Sequence, residues 1–189
     1  MSKAVSALQG AVFKGSVTIK DTGLQGMITL RGDLSSDILA KAVKAATGVA
    51  MPKVGGINSG AKGAAAWMSP DELLLLVDHA KADATVAKLD KALAGSHILA
   101  VNVSDARAMF SLEGAGIRDV LAKGSPANLS SDAFKIGEMR RTRLGQLPVA
   151  FWLSSEKDAS VVCFRSVGEH VFNGLKNAAQ KGTSPKYYS

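Results

Sequence analysis

Apolar and polar residues alternate in two stretches near the start of the chain, SVTIK (16–20) and GMITLRG (26–32). That is the period of a strand with one buried face. From residue 33 the period lengthens. Ile38, Leu39, Ala42, Val43 and Ala46 share one helical stripe, Ser35 or Ser36 can cap its start, and Gly48 can stop it after Thr47. MPKVGGINSGAKG (51–63) reads as loop, on its Gly, Pro and Ser content. AWMSPDELLLL (66–76) follows. Its Ser-Pro-Asp is turn chemistry, and residues 73–77 lack any polar alternation, which predicts a strand covered on both faces. Two readings compete for Trp67: the edge of a hairpin feeding that strand, or the lining of a ligand pocket.

Residues 79–94 read as a helix with Ala82, Val86, Leu89 and Leu93 on one stripe, ending at Gly95. The pattern then restarts. HILAVNV (97–103) and ARAMFSL (106–112) are strands, and 114–123 is a short helix burying Ile117, Val120 and Leu121. GEMRRTRL and LPVAFWL form a hairpin turning at Gly145-Gln146, and SVVCFR (160–165) is another strand. Ser166-Val167-Gly168-Glu169 matches a capping box. The helix after it carries Val171, Phe172, Leu175 and Ala178 and stops at Gly182. The order predicts an α+β protein with a mostly antiparallel sheet, built as two similar lobes, 16–95 and 96–181. A flexible N-terminus (1–15) and a C-terminal tail (182–189) flank them.

The 189 residues are 47% hydrophobic and 21% charged, enough for a sizeable core and unlike a disordered chain. Residues 73–77, the longest unbroken apolar run, are too few to span a bilayer. The first residues lack the apolar stretch of a secretory signal, and a single cysteine excludes an internal disulfide, so a cytoplasmic protein is expected. The net charge of +7 serves solubility or an anionic partner. Its one dense cluster is Arg140, Arg141 and Arg143 in EMRRTRLGQ. No aromatic interleaves them to stack a base, so no nucleic-acid partner is expected.

Catalytic chemistry is hard to find. His79, His97 and His170 have no His, Cys or Glu neighbours at metal-ligand spacing. Cys163 sits in an apolar strand and reads as a buried, inert thiol. Asp71 and Glu72 are adjacent, so on a strand they point to opposite faces and cannot easily act together. GGINSGAKG lacks the Lys-hydroxyl ending of a phosphate loop. No catalytic, cofactor-binding or metal-ligating residue is assigned, which points to a binding or scaffold role.

Two stretches carry a family likeness. In AWMSPDELLLL, Trp67, Pro70, Asp71, Glu72, Leu74 and Leu75 stand where the gamma subunits of heterotetrameric sarcosine oxidases have a Trp-Leu-Gly-Pro-Asp-Glu-Trp-Leu-Leu-like turn; Ser69 and Leu73 depart from it. In VSDARAMFSLEGAGIRDVLAKGSPANL, residues Val103-Ser104-Asp105, Leu112, Gly114, Arg118-Asp119-Val120-Leu121 and Lys123-Gly124 match. RRTRLGQLPVAF and CFRSVGEHVFNGL resemble the family's closing hairpin and last helix. The likeness covers 16–179 and extends, more distantly, to aminomethyltransferases such as the glycine cleavage T-protein. It implies two ferredoxin-like lobes forming a pseudo-barrel. It also implies a four-subunit enzyme that demethylates sarcosine oxidatively to glycine with oxygen and tetrahydrofolate. FAD, FMN, NAD and the folate would lie in the larger subunits and zinc in the smallest, with none of them in this chain. The implied partners are the alpha, beta and delta subunits, the alpha subunit in direct contact, with Arg140, Arg141 and Arg143 at that junction. A small autonomous folate-binding or aminomethyl-transfer protein is the alternative. Against it, Ala127-Asn128-Leu129 lacks the acidic residue that relatives carry there, and the chain has no room for their C-terminal β-barrel.

Overall fold

The computed structural model describes residues 4–188. In chain order the strands are β1 (Val12–Lys14), β2 (Thr18–Asp21), β3 (Gly26–Arg31), β4 (Ile57–Gly60), β5 (Gly63–Ser69), β6 (Glu72–Val77), β7 (Leu99–Asn102), β8 (Arg107–Glu113), β9 (Met139–Leu144), β10 (Leu147–Ser155) and β11 (Asp158–Phe164). The helices are α1 (Asp37–Thr47), α2 (Ala82–Ala92), α3 (Ile117–Ala122) and α4 (Gly168–Ala178). Every strand pairing among the described residues is antiparallel, so the α+β class is as expected.

The chain divides into two units, each with its own sheet. Unit 2 is Gln25–Asp105 and holds a five-stranded sheet in the order β4-β5-β6-β3-β7. Helix α1 carries the chain past β6's place, and α2 returns it to the far side of β3. This is a ferredoxin-like lobe with β4 added at one edge. Ile28, Leu30, Leu73, Leu75 and Val77 pack with Leu39, Val43 and Leu89 of the two helices. Unit 1 joins the residues up to Leu24 to those from Ala106 onward, with the sheet order β1-β2-β8-β11-β10-β9. Its core sets Phe110, Phe151 and Val161 against Ile117, Leu121, Val171 and Leu175.

The two sheets follow one plan. β8 answers to β3, β9 to β11 answer to β4 to β6, and α3 and α4 answer to α1 and α2. The place beside β8 that corresponds to β7 is filled by β2, from the start of the chain. The repeat is therefore real, but its division at residue 95 is displaced. β7 closes unit 2, and SVTIK belongs to a different sheet from its sequence neighbour GMITLRG.

The expected flexible N-terminus is instead tied down. β1 pairs with β2, and the buried Asp21 carboxylate accepts hydrogen bonds from Ser6 Oγ (2.6 Å) and the backbone N–H groups of Leu8, Gly10 and Gly23. The tail is tied down as well. Buried Asp119 accepts from Ser184 Oγ at 2.9 Å and from the N–H groups of Tyr187 and Tyr188.

Residues 66–76 form the β5–β6 hairpin, with Pro70-Asp71 at the turn. All six residues of β6 are buried, on both faces. Four leucines leave water there, worth roughly 1.5–3 kcal/mol each as an upper estimate. Trp67 lies opposite Leu73 and packs, half-buried, on the helix-side core. The hairpin reading is the one the fold supports.

Helix α1 is bounded as its sequence predicts. Ser36 Oγ accepts from Leu39 N–H, and Gly48 closes the end at φ 78°. Two expectations fail. Ser166 caps nothing: a 3-10 turn (Arg165–Val167) leads into α4, which starts at Gly168 without a side-chain cap and ends at Ala178, before Gly182. Residues 57–60, read as loop, are edge strand β4, held by backbone pairing to β5.

Candidate interaction surface

The arginine cluster lies on β9, at the edge of the unit 1 sheet, and alternation separates its members. Arg140 turns to the helix side. Its guanidinium lies 5.0 Å from the Phe134 ring centroid and donates to Glu138 Oε2 at 2.9 Å, and to the carbonyls of Ala133 and Met139. It is thus satisfied internally. A neighbouring carboxylate, two residues earlier, answers the charge that the sequence reading left unmatched. Hydrogen bonds from Lys135 N–H and Arg140 hold the Glu138 carboxyl below its usual range, against the opposing effect of burial. Arg141 and Arg143 turn to the other face, and both are exposed.

Pairing across the sheet fixes what accompanies them. Arg141 stands opposite Ala150, Ala150 opposite Val162, and Val162 opposite Met109. One row further out, Arg143 stands opposite Pro148 and Phe164 opposite Arg107; Pro148 and Phe164 each come one residue beyond the Val149–Cys163 pair. The Arg107 guanidinium sits 4.4 Å from the Phe164 ring centroid, within cation–π range. Phe164 is 46% exposed, while Phe110, Phe134 and Phe151 are fully buried.

The helix side of unit 1 holds a groove of about 520 Å³ between α3, α4 and the β9–β10 turn. Val120, Leu144, Leu147, Val171 and Leu175 line it, with His170 among the polar lining residues. Lys123, also in the lining, is engaged by the Ala178 carbonyl and Thr183 Oγ1.

Arg118 and Asp119 of the RDVL motif acquire roles that the sequence left open. Arg118 is almost buried, and it donates Nη1 to the carbonyls of Leu129 and Phe134, both at 2.8 Å. Nε and Nη2 reach Glu156 at 3.0–3.1 Å. One guanidinium so clamps the loop after α3 to the β10–β11 turn. Asp119 holds the tail. A charged pair inside a six-residue helix otherwise made of Ile, Val, Leu and Ala is the signal that could have found them: such a pair needs partners once buried. Asn128, where relatives carry an acid nearby, accepts from Ser130 N–H in a local turn.

Other expected residues fall on separate elements. Glu72 is buried and bonded by Arg31 at 2.6 Å, with the exposed Asp71 4.0 Å from the same guanidinium, so one arginine serves both carboxylates despite their opposite directions. Cys163 is buried, and desolvation pushes its thiol up to about 11, against a smaller opposing effect of Arg107. His79 stands in the 3-10 turn before α2, His97 beside Arg31 and Asp71, and His170 on α4. No three His, Cys, Asp or Glu gather as metal ligands among the described residues.

A profile of the family "Sarcosine oxidase, gamma subunit family" matches residues 31–181. The sarcosine oxidase subunit gamma of Corynebacterium sp. (strain U-96) is 30% identical over 177 residues, 92% of this chain and 85% of its own. The structure of heterotetrameric sarcosine oxidase from Corynebacterium sp. U-96, in complex with pyrrole 2-carboxylate, contains a chain that superposes with a TM-score of 0.78. The sequence identity is 29%, covering 86% of this chain and 83% of that one. Aminomethyltransferase T of the glycine cleavage system from Bartonella henselae shares the fold at a TM-score of 0.62 and 16% identity, over 85% of this chain and 46% of that one.

Proposed function

The chain belongs to the sarcosine oxidase gamma subunit family, and we propose that it is the non-catalytic gamma subunit of a heterotetrameric sarcosine oxidase. It supports the oxidative demethylation of sarcosine to glycine with tetrahydrofolate and oxygen, without an active site of its own. The observation that carries this is the likeness to a gamma subunit through both units of the fold. The chemistry of the chain supports it. Its charged buried residues are spent on structure, Arg118 and Asp119 on loop and tail, Glu72 on Arg31. GGINSGAKG runs through β4 into the β4–β5 turn and precedes no helix, so it builds no dinucleotide or phosphate cradle.

In this reading FAD, FMN, NAD, tetrahydrofolate and zinc belong to the other subunits. The partners are the alpha, beta and delta subunits, with the alpha subunit in direct contact. The complex works in the cytoplasm; no helix among the described residues is long and apolar enough to cross a membrane. Arg141 and Arg143 lie at a junction, whereas Arg140 is committed within the chain.

The test is co-expression with the other three subunits, and expression alone. Expected are copurification, a colourless isolated chain, and no peroxide from sarcosine without its partners. A stoichiometric flavin band in the isolated chain, or peroxide made by it, overturns the reading. So does tetrahydrofolate binding by the isolated chain in the low micromolar range, about −8 kcal/mol, which would favour an autonomous folate protein.

A further inference from the structure

The outer corner of the unit 1 sheet, on the face away from its helices, has a composition that no sequence pattern announces. Four strands contribute one residue each to its last row: Arg107, Phe164, Pro148 and Arg143. Arg141 stands in the next row. With strands about 4.8 Å apart, the row spans about 14 Å between its two end arginines. No acidic side chain stands in either row; their other members are Met109, Val162 and Ala150. Phe164, Pro148, Arg141 and Arg143 are all exposed.

We propose that this corner is the anchor point for an acidic segment of a partner subunit. The proposal rests on the reading of the chain as a subunit of a larger enzyme, and it adds where the partner docks and what chemistry it brings. Charge complementarity identifies the occupant. Guanidiniums on β8 and β9 bracket an apolar centre made by Phe164 and Pro148, and guanidinium forks take carboxylates bidentately. Arg107 stacked on Phe164 holds the ring in place, so little side-chain freedom is lost when a partner covers it. Arginine and aromatic residues at a fixed centre are the composition of an interface hot spot. The patch is small beside the roughly 800 Å² per partner of a stable interface, so it is the centre of a contact and not its whole extent. The occupant is a carboxylate-bearing loop or helix end with an apolar residue that covers Phe164.

The experiment uses the co-expressed complex. R143E and F164A are introduced separately, and the thermal midpoint of each isolated variant is checked against the parent chain. R143E is expected to weaken association at least tenfold and to flatten its dependence on salt. F164A is expected to weaken association with the salt dependence retained. A photo-crosslinking residue at position 164 should capture a peptide rich in Asp and Glu from a larger subunit. If the parent chain assembles and both variants assemble equally well, the docking surface is wrong while the subunit reading stands. A captured peptide without acidic residues also overturns the proposal. If the parent chain joins no complex at all, the subunit reading fails and the docking surface with it.

Discussion

Arg118 does the work of several residues, and its neighbours show how a charge is kept inside an apolar helix. Its side chain is 8% exposed, while that of its partner Glu156 is 61% exposed. The ion pair is thus largely hydrated on one side, and the two carbonyls of Leu129 and Phe134 are what depend on the guanidinium. R118M should cost about 2–4 kcal/mol in urea denaturation, because it strands buried acceptors. E156Q should cost about 1 kcal/mol or less, and R118K should recover little, since an ammonium cannot span three partners. Asp21 sets a pH dependence. Burial pushes its carboxyl up, but hydrogen bonds from Ser6, Gly10, Gly23 and Leu8 outweigh that and leave it below the ordinary 3.8. A carboxyl lowered in the folded state adds stability that is complete above its unfolded value and lost as pH falls through the folded one. The stability gap between the parent chain and D21N should therefore be constant from about pH 5 upward and close below about pH 4; urea titrations at several pH values measure it. Cys163, its thiol at about 11, should react with a disulfide reagent at pH 8 only as fast as the sheet opens, and at once in denaturant.

At the scale of elements, the strands and helices with strong apolar periodicity were legible, and the misses share a physical cause. β6 and α1 declare themselves because burial of side chains decides them. β4 is held by backbone pairing at an edge and needs no apolar side chain beyond Ile57, so its Gly and Ser spoke for a loop. The capping-box pattern at Ser166 was present, but the chain enters α4 through a 3-10 turn, where the hydroxyl finds no helical N–H to cap. The arginines were legible as a cluster, and their separation onto two faces followed from alternation. Phe164 and Arg107 were not legible, because they come from strands paired only in the folded sheet. The β9–β10 turn tests the local reading. Gly145 has φ 60°, and an added Cβ would meet nothing within 4 Å. G145A should then cost about 1 kcal/mol through backbone strain alone, whereas G145N should cost less, since Asn tolerates that conformation. Thermal midpoints of the two variants distinguish strain from crowding.

For the whole molecule, the repeat was visible in the order of elements, but its boundaries were not. A sequence is read forwards, and the strand that completes unit 1 comes some ninety residues before the strand it pairs with. Both ends thought to be loose are structural. Removal of residues 182–189 should cost about 2–3 kcal/mol, because Asp119 stays buried and loses Ser184, Tyr187 and Tyr188 as donors. D119N within the full chain should cost a similar amount, and the truncated D119N chain should lose little more than either change alone, which denaturant titration of the four proteins would show.

The placement of β2 beside β8 also has a temporal side. On the ribosome, β2 leaves the exit before anything it pairs with in that sheet, apart from the short β1 beside it. At about 5–20 residues per second, the interval until β8 arrives is on the order of 4–20 s. Unit 2, complete at Asp105, can form within that interval. The early segment VFKGSVTIKD meanwhile stays an open strand edge, the kind of template that recruits other chains. Lys14 and Lys20 stand in it, both exposed in the finished fold. Their charges have no packing role there, and they guard the nascent chain against pairing too early with the wrong partner.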